Sequence, residues 1–129
     1  MLGMIVAMTI GAAATPQACP LDFDPFLEQF AASAEAQRAA VAQAVGTSRV
    51  DLAGPEPRSI RRRADVADLQ FPVMPLAEAR RREGLVLTTR KSGPRAIVTL
   101  SKPDTDHLVE YRFLRVGCWR LVEINDRSL

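Results

Sequence analysis

Apolar positions recur at helical spacing from residue 23 onward, at Phe23, Phe26, Leu27, Phe30, Ala34, Val41 and Val45, and lie along one stripe. Asp24 precedes Pro25, an N-cap acceptor followed by the residue best tolerated at the first helical position. Ser33 interrupts the run and can cap a second helix, with Glu35 in its first turn, where a negative charge favours the helix dipole. The spacing therefore predicts helices over 24–32 and 34–44, the second ended by Gly46. From residue 84 the period changes to two. The segments "GLVLTTRK", "RAIVTLSK", "LVEYRFLRV" and "CWRLVEIN" are rich in β-branched and aromatic side chains and are separated by "SGP", "PDTDH" and "GC". They predict an antiparallel meander. Val109, Tyr111 and Phe113 share one face of the third strand, and Trp119 and Leu121 can meet them across the last hairpin.

Between these halves, residues 46–70 contain Gly46, Gly54, Pro55 and Pro57 and few large apolar side chains. This pattern predicts a loop region with one short strand at Ser48–Leu52. The expected fold class is α+β: N-terminal helices packed over the apolar face of a bent antiparallel sheet. At 129 residues there is room for one core.

The first eighteen residues lack charged side chains, hold an apolar run from Leu2 to Ile10 and continue into Ala12, Ala13 and Ala14. Such a run is too short for a stable membrane span and has the form of a secretory signal, although no Lys or Arg precedes it. The expected organisation is a signal peptide over 1–18 and a single domain over 19–129, located in the periplasm or secreted. Cys19 and Cys118 are the only cysteines. In an oxidising compartment two cysteines most often pair, and closing a loop of about 100 residues stabilises by at most roughly 4–5 kcal/mol in the chain-entropy account. Lipidation of Cys19 and free thiols are the alternatives. Two cysteines and one His do not make a tetrahedral metal set, and no cofactor or metal is expected.

The net charge of +2 conceals an uneven layout, with ten of the seventeen basic residues falling within 58–95. Arg61, Arg62 and Arg63 form one run and Arg80, Arg81 and Arg82 another. No aromatic side chains interleave them, so nucleic-acid binding is not expected. A solvated surface is the simplest meaning of such runs, and binding to an acidic partner or an anionic surface is the next.

The order "DPFLEQFAASAEAQRAAV", "FPVMPL" and "YRFLRVGCWRLVEINDRSL" resembles a group of small exported bacterial proteins of unknown function, itself similar to the nuclear-transport-factor-2-like, cystatin-like superfamily. That resemblance spans roughly residues 22–129 and implies a cone of curved sheet wrapped on helices. Catalytic members of the superfamily place an acid or base and a Tyr inside the cone. Here Tyr111 and His107 are the only Tyr and His. The alternation around Tyr111 reads as core with its hydroxyl at the rim, and His107 lies in a Pro- and Asp-rich turn. Asp104 and Asp106 read as turn residues, and Asp126 and Ser128 as local fasteners of the chain end.

Two functions follow. The first is a noncatalytic exported module that binds an unknown protein or an anionic envelope component through Arg61, Arg62, Arg63, Arg80, Arg81 and Arg82. The alternative is a cone-shaped pocket, lined by Tyr111, Phe113 and Trp119, that holds a small apolar ligand and could support isomerase-like or hydrolase-like chemistry. A filled interior favours the first. A cavity lined by Tyr111 and a carboxylate favours the second.

Overall fold

The computed structural model describes Gly3 and residues 19–129. The expected signal peptide, residues 1–18, otherwise lies outside the described residues.

Phe23–Phe30 forms helix α1, whose apolar stripe buries Phe23, Phe26, Leu27 and Phe30. Its N-cap is Asp22 and not Asp24, which falls in the first turn and forms an exposed ion pair with Lys91 at 3.1 Å. Ser33 caps α2, Ala34–Ala39, as expected: its Oγ accepts the Ala36 N–H at 3.0 Å. The second helix stops there and does not continue to residue 44. Val41–Asp51 is instead a strand, β1, which pairs antiparallel with β2 (Arg58–Asp65) and parallel with the last strand of the chain. Val41 and Val45 fit a helical stripe by spacing, but they are β-branched and find buried strand positions, so tertiary pairing overrides the helix preference of their Ala neighbours. The expected loop at 46–70 thus holds most of one strand and all of another, far more than a short strand at Ser48–Leu52.

A short 3-10 turn at Val66–Asp68 and helix α3, Ala77–Arg82, lead to the four expected strands: β3 (Val86–Ser92), β4 (Arg95–Ser101), β5 (Leu108–Val116) and β6 (Cys118–Asp126). The sheet has six strands in the order β2-β1-β6-β5-β4-β3 and is mostly antiparallel, with β1 and β6 parallel. Gly117, at φ +74, occupies the left-handed region in the abrupt turn from β5 to β6, where an L side chain would be strained. Helices packed on a curved, mostly antiparallel sheet make an α+β fold.

Cross-strand partners share a face, so the registers sort every strand residue onto one of two sides. The inner side carries Ala96, Val98, Leu100, Val109, Tyr111, Phe113, Trp119 and Leu121, all buried against α1 and Met74. Phe113 is the centre of an aromatic cluster, with ring centroids 5.2 Å from Phe23, 5.7 Å from Phe26 and 5.2 Å from Phe30. Gln37 is the one fully buried polar side chain of this layer among the described residues. Its Oε1 accepts the N–H groups of Val73 (2.8 Å) and Met74 (3.1 Å), and its Nε2 donates to the Met74 carbonyl (2.8 Å).

Cys19 and Cys118 are bonded, tying the segment before α1 to the start of β6 across a sequence separation of 99. Replacing both by Ser should cost about 2–4 kcal/mol. Denaturant titration of the double-Ser variant beside the oxidised protein checks this, and equal midpoints would contradict it.

Candidate functional site

Tyr111 was the natural candidate for interior chemistry, and its surroundings decide against a free catalytic hydroxyl. The hydroxyl donates to the Val73 carbonyl at 3.3 Å. Burial, with the negative charge of Asp126 adding to it, pushes the phenol further above its ordinary range, so it stays protonated throughout the neutral region. Phe113 and Trp119 are equally committed: Phe113 fills the space under α1, and Trp119 packs edge-on against Phe23 at 5.0 Å while its Nε1–H donates to the Leu21 carbonyl at 2.9 Å. All three side chains are buried, none more than 3% exposed. His107 lies at the end of the β4–β5 turn, whose Asp104 takes a positive φ of 63°. Asp126 Oδ1 accepts the Ser128 N–H at 2.9 Å, the local fastening expected of that pair. Among the described residues no group of three or more His, Cys, Asp and Glu could hold a metal ion, and no helix is long and apolar enough to cross a membrane.

An indentation of about 290 Å³ does open on the inner side beyond the helices, lined by Thr47, Arg49, Ile60, Arg62, Ile124 and Asp126. Arg62 faces this side because it pairs with Thr47, which in turn pairs with Ile124.

The two arginine runs are not brought together. Arg61, Arg62 and Arg63 are exposed on β2, at one edge of the sheet. Arg80, Arg81 and Arg82 end α3, which leads into β3 at the opposite edge. Arg80 and Arg81 border a hollow whose lining also includes Asp24 and Glu28.

The outer side of the sheet, which the helices leave uncovered, is where charge collects. Arg63 pairs with Gly46, Gly46 with Glu123, Glu123 with Arg112, Arg112 with Ile97 and Ile97 with Arg90, a single row across all six strands. Adjacent rows add Arg61, Arg95 and Arg120. Against these six arginines the same face carries Asp65, Glu110 and Glu123. Glu110 holds Arg112 at 3.2 Å and Arg127 at 3.6 Å, and its side chain is 13% exposed. Arg61, Arg63, Arg90, Arg95 and Arg120 have no ion-pair partner among the described residues. Sequence reading missed this surface because it followed the apolar phase of each strand. The opposite phase of the same alternation places arginines at 61, 63, 90, 95, 112 and 120.

The face is not flat. Val122 is an extra residue on β6, since Arg112 pairs with Glu123 while the next residue, Phe113, pairs with Leu121. Next to this bulge runs a groove of about 690 Å³ whose apolar lining includes Ile97, Leu114 and Val122 and whose charged lining sets Arg90, Arg95 and Arg112 against Glu123.

No protein-family model and no curated protein matches the chain. Among solved structures, the crystal structure of an NTF2-like protein from Bacteroides fragilis is similar, with a TM-score of 0.62 at 17% identity over 84% of this chain and 47% of that one. The chain has the NTF2-like fold and spans about half the length of that relative. At this identity the likeness carries fold and no activity.

Proposed function

We propose that the protein is an exported, noncatalytic binding module that takes an acidic protein or an anionic envelope component on the outer face of its sheet. The observation that carries this reading is the charge of that face, with Arg63 of the edge strand in one row with Arg112 and Arg90 and with Arg61, Arg95 and Arg120 in the adjacent rows. A net positive face of this kind raises the rate of encounter with anions. The burial of Tyr111, Phe113 and Trp119, none more than 3% exposed, argues in the same direction, since it leaves them little surface to offer a ligand in the cone. The signal-like N-terminus and the disulfide support export. Arg80, Arg81 and Arg82 take a lesser share, because they lie at the other edge of the sheet and outside these rows.

Cosedimentation with phosphatidylglycerol vesicles, and retention on immobilised polyglutamate, tests the reading at low and high salt. Each arginine near an anionic surface contributes about 1 kcal/mol, so Arg61→Ser with Arg63→Ser should weaken binding roughly 10- to 30-fold at low salt. High salt should weaken the native protein too. Arg80→Ser with Arg81→Ser and Arg82→Ser should change it far less. Undiminished binding by a variant with Ser at Arg61, Arg63, Arg90, Arg95, Arg112 and Arg120, at both salt levels, would remove the proposal.

A second reading, a small-ligand pocket in the cone of the sheet, rests on the inner indentation beside Asp126. Its 290 Å³ lies at the lower limit of ligand sites, about 300–1,000 Å³.

A further inference from the structure

We infer that the groove on the outer face is a separate binding site for a single-chain amphiphilic carboxylate, with the chain on Ile97, Leu114 and Val122 and the carboxylate between Arg90 and Arg95. The groove's volume, about 690 Å³, falls in the range of small-molecule sites and far exceeds what one side chain or a few waters fill. Its floor is built and not accidental. Ile97 and Leu114 occupy outward positions of β4 and β5, where a polar residue would be the ordinary choice, and the β6 bulge adds Val122 beside them.

The head-group assignment follows from which cations are already engaged. Lys91 is held by Asp24 and Arg112 by Glu110. Arg90 and Arg95 lie at the end of the β3–β4 hairpin, both exposed and both without a carboxylate partner among the described residues. Arg95 pairs with Leu114 and Arg90 with Ile97, so each arginine is the cross-strand neighbour of one of the aliphatic floor residues. Two planar donors beside an apolar floor suit a carboxylate that continues into an aliphatic chain. The floor also leaves one donor with no acceptor: Arg112 Nε is buried and unpartnered, with the Glu123 carboxylate at 4.0 Å. A two-chain lipid is wider than a floor of three aliphatic side chains. A second copy of this face is disfavoured by charge, because six arginines and three acids would meet the same set.

The groove shares Arg90, Arg95 and Arg112 with the face proposed above but does not depend on that partner, and laurate tests it. Calorimetric titration below the micelle-forming concentration should show binding to the native protein. Lauryl alcohol, which keeps the chain, and acetate, which keeps the charge, should each bind at least about tenfold more weakly. Arg90→Ser with Arg95→Ser, at exposed positions where folding is not at stake, should lose about tenfold or more for laurate and leave lauryl alcohol unchanged. Amide shifts on titration should concentrate on β3, β4, β5 and Val122. Equal binding of laurate by the double variant would overturn the assignment. So would shifts centred on Thr47, Ile60 and Ile124, which would put the ligand in the inner indentation, or a dimer that buries this face and excludes laurate. Laurate binding without vesicle or polyglutamate binding would keep this site and remove the reading of the previous subsection.

Discussion

Replacing Trp119 by Ala should leave a domain that barely folds, at a cost of about 3–5 kcal/mol out of the roughly 5–15 kcal/mol that holds a domain together. The indole is 3% exposed. It does three things at one end of the molecule: its ring meets Phe23 edge-on at 5.0 Å, its Nε1–H ties down the Leu21 carbonyl, and its neighbour Cys118 carries the bond to Cys19. The Ala variant therefore loosens the entry of α1 as well as opening a void. Trp119→Phe keeps one ring in the cluster while removing the donor and the indole's second ring, and should cost less than the Ala variant, about 1–3 kcal/mol. Denaturant midpoints give both figures. The protein has one Trp, so its emission reports this site alone and should be shifted well to the blue of free Trp in water. Emission like that of free Trp, or an Ala variant as stable as the native protein, would show that this end of the core is not packed as described.

The parts of the fold legible in the sequence are those whose signal is local. Alternating β-branched and aromatic residues delimit β3 to β6 within a residue or two. Phe23, Phe26, Leu27 and Phe30 define the buried face of α1, and Ser33 with its Oγ bonded to Ala36 N–H marks the start of α2. Where the deciding partner is distant in sequence, the local signal fails. "VAQAVGTSRVD" reads as helix and then loop, yet it is a strand because β6, more than seventy residues later, and the arginine-rich β2 take up its backbone groups. Three consecutive arginines likewise suggest loop by composition, whereas on an edge strand they suit the position, since charge discourages pairing with another chain. The site divides in the same way. The arginine runs at 61–63 and 80–82 are visible in the sequence, but only the registers show that Arg61 and Arg63 join Arg90, Arg95, Arg112 and Arg120 while Arg62 faces the other side.

Gln37 belongs to the illegible part, and substituting it should produce the second large effect. In sequence it is one polar residue of "AEAQRAA", indistinguishable from a solvated helix position. In the structure it is fully buried and serves three backbone groups of the segment between the 3-10 turn and α3: the N–H groups of Val73 and Met74 and the Met74 carbonyl. Gln37→Leu has a similar volume and satisfies none of them. Leaving several buried polar groups unpaired should cost about 3–5 kcal/mol, each orphan contributing about 1–3 kcal/mol and the sum being less than additive. Gln37→Glu supplies a test that loss of packing cannot imitate. Its carboxyl can accept both N–H groups with one oxygen, but the other oxygen faces the Met74 carbonyl and must carry a proton to keep that bond. The folded state therefore binds the proton more tightly than the unfolded chain, in which a glutamate titrates near about 4.3. The stabilisation that the neutral acid provides is fully present below that value and is lost as pH rises through the raised folded-state value. Urea midpoints of the Glu variant should thus fall, relative to the native protein, between acidic and neutral pH, while those of the Leu variant should show no such added dependence. A Glu variant whose difference from the native protein is the same at both pH values would show that residue 37 does not face the Met74 carbonyl.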